Sequence, residues 1–200
     1  MLSKVSPAQR DWFAHWHETK WDGGSPMFLP QKYPREIAVL HPGAVPISDP
    51  ALIVPFKIPD NSDDYLQNPW EQAEVLDLIL LDTFDPETSC TLGVYGGYLN
   101  PGTDRGVSMG FIEPDATWVF SNVGYVLFAA PLKEALSSAV QDRWREVGFV
   151  FLSHIWPDDH SWFLVVNPDF DFTVIGCDDE LAEKLLAQPE LNAREMPTSW

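Results

Sequence analysis

Cysteine is scarce: Cys90 and Cys177 are the only two in 200 residues, and they stand far apart. That excludes a disulfide-stapled secreted scaffold and a Cys-x-x-Cys redox or zinc motif. Both thiols read as small buried apolar residues. Long hydrophobic runs are missing as well. The longest near-apolar stretch, residues 123–132, is broken by Gly124 and Pro131 and is about half of a membrane span. Residues 1–7 lack the apolar region of a signal peptide, so the expectation is a soluble, cytoplasmic chain. Basic residues are few, with 12 Lys and Arg against 30 Asp and Glu and a net charge of −18. Such a chain is repelled by phosphate backbones and anionic lipid, which argues against nucleic acid and membranes as partners.

Aromatic residues are plentiful, at 13% with nine tryptophans, which excludes intrinsic disorder. A chain of this length buries roughly 70% of its unfolded surface, so no metal, cofactor or disulfide is required to hold it. No internal repeat or long linker divides it. A single domain over 1–200 is expected. Residues 1–67 would form a helix with a proline-rich segment packed on it, and 68–200 an α+β core.

The acid is concentrated in two blocks. Residues 60–104 hold ten acidic and no basic side chains, and residues 151–200 hold ten acidic against two basic. Residues 1–59 and 105–150 are close to balance.

Local signals give an element order. Ser6-Pro7-Ala8-Gln9 has an N-cap serine, a first-turn proline and a glutamine at N3, which together predict a capped helix carrying Trp12, Phe13 and Trp16. Eight prolines between 26 and 59 forbid long helices and central strands there. Short extended pieces survive at 36–41 and 51–58. Asn68-Pro69-Trp70-Glu71 opens a second helix. The apolar run 75–81 fits helix or strand, and we expect a short helix over 69–74, then a hairpin of 76–83 with 89–95. Residues 117–120 and 125–129 predict a hairpin. Pro131 opens a helix with an apolar stripe from Leu132 to Trp144. Strands are expected at 149–155, 162–167 and 170–175, and a last helix at 179–188. The order implies α+β: a mostly antiparallel sheet with helices packed on one face, preceded by an N-terminal helix and a proline-rich irregular segment.

Catalytic motifs are weak. Gly106-Val107-Ser108-Met109-Gly110 matches the nucleophile elbow of serine hydrolases, but Phe111-Ile112-Glu113-Pro114 cannot supply the helix on which that elbow depends. His154, Asp158, Asp159 and His160 offer metal-type donors around one turn, yet an Asp pair is equally what a turn uses. No second ligand cluster accompanies them, so no metal is expected. Asp169-Phe170-Asp171 reads as a turn, and Asp178-Asp179-Glu180 as a helix start that offsets the macrodipole. No phosphate-binding glycine loop is present. His15 and His17, two apart on a helix, face different ways. Trp70, Trp156 and Trp162 neighbour acidic turns, as binding aromatics do.

A small, acidic, tryptophan-rich α+β chain without a catalytic set resembles bacterial toxin-immunity proteins in overall character. The resemblance implies an inhibitor that binds a basic toxin or nuclease domain, as a monomer or small homo-oligomer. Asp60, Asp63, Asp64, Trp70, Glu71, Asp82, Asp85, Glu87, Trp156, Asp158 and Asp159 are the candidate partner-binding residues, and no catalytic residue is assigned. The alternatives are a metal-dependent or hydrolytic enzyme using His154, Asp159, His160 or Ser108, and a non-catalytic adaptor domain.

Overall fold

A computed structural model describes residues 2–19, 29–47, 54–59, 70–95, 117–120, 124–137, 153–166 and 170–197. In chain order they form α1 (Pro7–Thr19), β1 (Arg35–Leu40), β2 (Val45–Pro46), β3 (Phe56–Lys57), α2 (Trp70–Thr83), β4 (Ser89–Tyr95), β5 (Thr117–Phe120), β6 (Gly124–Pro131) and α3 (Leu132–Ala135). There follow β7 (His154–Pro157), β8 (Phe163–Val166), β9 (Phe172–Cys177), α4 (Asp179–Leu186), a 3-10 turn (Pro189–Leu191) and β10 (Ala193–Glu195). The class is α+β and the described strand pairs are antiparallel. Contacts divide the chain into two compact units, Met1–Lys20 with Pro86–His160, and Trp21–Asp85 with Ser161–Trp200.

In the first unit β4 pairs with both β6 and β7, and β5 pairs with β6. Side chains alternate between sheet faces, so the register groups Thr91, Gly93, Tyr125, Leu127, His154 and Trp156 on one face. Helix α1 covers it, because Gln9, Phe13, Trp16 and His17 recur at helical spacing and all four are buried. Gly93 leaves room for its neighbours on the sheet, since a Cβ there would meet His154 Cβ and Leu127 Cδ2, each at 3.3 Å. As the capping pattern requires, Ser6 Oγ accepts the Gln9 N–H at 3.3 Å. The Gln9 side chain turns elsewhere.

In the second unit the strands run β10–β1–β9–β8. All six β9 residues are buried, so both faces of this strand are covered. One cover is the proline-rich segment: Phe56 meets the Phe172 ring edge-on at 5.4 Å, and Tyr33 and Leu29 lie over Gly176. Helix α4 packs against α2 and β1. Asp178 caps α4, its Oδ1 accepting the Leu181 N–H at 2.9 Å. That gives the Asp178-Asp179-Glu180 start the structural role expected of it.

Three expectations are corrected. Residues 76–83 do not form a strand with 89–95, because α2 runs unbroken through Thr83 and β4 pairs elsewhere. Leu76, Ile79 and Leu80 are buried, a three-and-four spacing that selects helix, and the run is richer in leucine than in β-branched residues. Of the extended piece expected at 51–58, only Phe56–Lys57 is strand among the described residues, paired with Val45–Pro46. The long helix expected from Pro131 stops after one turn at Ala135, with Leu136 as its C-cap; the residues expected to extend it beyond 137, the strand residues 149–152, and Ser108 with its flanking glycines lie outside the described residues.

Candidate functional site

The β7 strand and the turn after it carry the densest set of polar candidates. Strand alternation sends His154 and Trp156 inward beneath α1. The His154 ring lies 5.2 Å from Phe13, 5.5 Å from Trp16 and 5.0 Å from Tyr125, measured between ring centroids. Trp156 is stacked on Phe13 at 5.1 Å and is 0% exposed. A residue so enclosed cannot touch a partner, and Trp156 is therefore removed from the binding set. Trp162 is likewise buried and stacked on Phe84 at 5.5 Å.

The turn itself faces solvent. Asp158 and Asp159 are exposed, and the His160 N–H donates to the Pro157 carbonyl at 3.0 Å. His160 takes a φ of 58°, the left-handed region that a histidine enters only when its surroundings hold it there. Gln9 does the holding. Its Nε2 donates to the Asp158 carbonyl at 2.8 Å. Its Oε1 accepts from Trp156 Nε1 at 2.7 Å and contacts His160 Nε2 at 2.8 Å. An amide oxygen only accepts, so His160 carries its proton on Nε2. The Trp12 ring stacks on the imidazole at 3.8 Å. Burial lowers the His160 pKa against the opposing pull of Asp159 and Asp158, which favours the neutral ring.

This geometry bears on the enzyme alternative. His154 lies in the aromatic core, while the Nε2–H of His160 is committed to Gln9, and Asp159 points to solvent. Among the described residues no group of three or more His, Cys, Asp or Glu side chains gathers as metal ligands would. Both cysteines are buried, and burial pushes each thiol up to about 12, far from a nucleophile's range. His41, near Thr173 Oγ1 at 3.3 Å, faces a hydroxyl that is itself buried. Asp171 Oδ2 accepts the Ile58 N–H at 2.8 Å and so ties the β3 end to the start of β9.

The remaining acidic candidates fall as follows. Asp82, Asp85 and Glu87 are exposed; Asp82 pairs with Lys184 at 3.2 Å and Glu87 with Lys133. Both pairs lie at the surface, where solvent screens the attraction. Asp82 and Asp85 belong to the second unit, and Glu87, Asp158 and Asp159 to the first. Trp70 and Glu71 stand in the first turn of α2. Asp60, Asp63 and Asp64 lie outside the described residues. Sequence reasoning passed over Gln9, whose capping-box position accounted for it fully, and the exposed acids of α4, Glu180 and Glu183. No family model matches the chain, and no curated protein or solved structure matches it either.

Proposed function

We propose that this chain is a non-catalytic binding protein that captures a basic protein through its acidic surface. Within that class the reading is an immunity-type inhibitor, acting in the cytoplasm without a cofactor on a basic toxin or nuclease domain. The observation that carries it is the exposure of the acids singled out from the charge pattern: Asp82, Asp85, Glu87, Asp158 and Asp159 all face solvent. An active site built to hold phosphates is cationic, and an acidic protein both finds it quickly and blocks it. Among the described residues no helix is long and apolar enough to cross a membrane.

The test is affinity capture from the source cell with two baits, the wild type and a variant with Asp82, Asp85, Asp158 and Asp159 changed to lysine. A basic protein held only by the wild type, whose activity falls on stoichiometric addition of the wild type, supports the proposal. Identical partner lists from the two baits refute it.

A further inference from the structure

Asp171, just ahead of β9, holds two separate stretches of chain at once. Its backbone carbonyl accepts the His41 N–H at 3.0 Å, and its Oδ2 accepts the Ile58 N–H at 2.8 Å. Between those two points lies the β2–β3 ribbon, in which Val45 pairs with Lys57 and Pro46 with Phe56. The Ile47 N–H extends it by donating to the Pro55 carbonyl at 2.9 Å. One residue therefore pins both stems of the ribbon. The ribbon in turn covers part of the sheet. Ala44, Phe56 and Ile58 are buried, and Phe56 lies edge-on to Phe172, which stacks on Phe170 at 5.5 Å. All of these residues belong to the second unit.

His41 adds a second grip on the first stem. Its ring Nε2 lies 3.3 Å from Thr173 Oγ1, a hydroxyl only 7% exposed, so the imidazole is turned in against β9. The neutral ring suits that place. An imidazolium would shed much of its water to occupy it, and one hydroxyl is a poor replacement. The charged groups on the surrounding elements are Asp171, Lys57 of β3, Glu190 of the 3-10 turn and Arg194 of β10. The last three are exposed, and the field that reaches the ring is that of Asp171. Burial lowers the His41 pKa and outweighs the opposing pull of Asp171. Opening the ribbon returns the ring to water. The open form then takes up a proton more readily than the closed one, and acid favours opening.

We infer that the β2–β3 ribbon is an acid-released cover, clasped at both stems by Asp171 and by the His41 ring against Thr173, which opens ahead of the sheet beneath it and bares Phe172 with its stacked partner Phe170. The test is hydrogen exchange of the full chain, read amide by amide by NMR at pH about 7.5 and about 5.5 and corrected for intrinsic exchange. At both pH values the Ile58 amide should be at least about tenfold less protected than Val174 and Ile175 in the central strand β9. Its protection should fall about threefold or more at the lower pH. His41→Gln keeps a polar group beside Thr173 but does not titrate, and it should reduce that pH effect to less than about 1.5-fold. Asp171→Asn keeps an acceptor for the Ile58 N–H and removes the opposing charge, so it should enlarge the effect. Circular dichroism verifies that both variants fold. An Ile58 amide as protected as those of β9 would overturn the separate opening. A pH effect absent from the wild type, or one that survives in His41→Gln, would overturn the release by acid.

Discussion

Replacing Gln9 by methionine should destabilise the protein by about 2–5 kcal/mol, and the figure follows from the fate of three hydrogen bonds. Methionine keeps the volume and the helix propensity, and Ser6 still caps the backbone N–H of residue 9. The Asp158 carbonyl belongs to an exposed residue and can turn to water. The His160 ring is half-buried and does the same, so these two bonds together forfeit about 1–2 kcal/mol. The Trp156 indole N–H has no such recourse, because the residue is 0% exposed; an orphaned buried donor costs about 1–3 kcal/mol. The assay is urea unfolding followed by tryptophan fluorescence, in which the midpoint should fall at unchanged slope. Hydrogen exchange at the Trp156 indole should accelerate in parallel. A variant within about 0.5 kcal/mol of wild type, with indole exchange unchanged, would refute the claim that Gln9 locks the turn.

Burial lowers the pKa of both His41 and His160, so the unfolded chain binds their protons more readily. Their contribution to stability is full above pH about 6.5 and is lost as pH falls through that value toward their folded pKa. Midpoints at pH about 7.5 and about 5.5 should therefore converge in His41→Gln and in His160→Gln relative to wild type, and an unchanged pH slope in both would contradict the sign. Gly176→Ala would drive a Cβ into the Tyr33 ring and to 2.8 Å from Leu29 Cδ1. It should cost about 1–3 kcal/mol by thermal or urea unfolding. Neither Cys90 nor Cys177 should react with a disulfide reagent at pH about 8 until denaturant is added, since burial holds both thiols near 12; rapid labelling of the native protein would contradict this.

What the sequence disclosed was what local chemistry decides. The Ser6-Pro7 start of α1, the β5–β6 hairpin, strands β8 and β9 and the Asp178 cap of α4 each depend on spacing or turn residues within a few positions. The run 75–81 did not disclose itself because continuous apolar residues carry no period. Only the surrounding unit, burying Leu76, Ile79 and Leu80 together, decides for helix. Trp156 misled for a related reason. Its acidic neighbours suggested a surface, but the strand's alternation points it inward with His154, and the acids begin only where the strand ends. Gln9 was invisible as the anchor of the turn because its partners, Trp156, Asp158 and His160, lie at the far end of the chain.

The central claim is that exposed acids draw in a basic protein partner. It is tested most directly by the association rate of the captured partner, followed by stopped-flow tryptophan fluorescence across ionic strength. The account predicts a rate that falls about tenfold or more between about 50 mM and about 500 mM salt, and a flattened dependence when Asp82, Asp85, Asp158 and Asp159 are changed to lysine. A rate that ignores salt in the wild type, or is unaltered by the four substitutions, would contradict it.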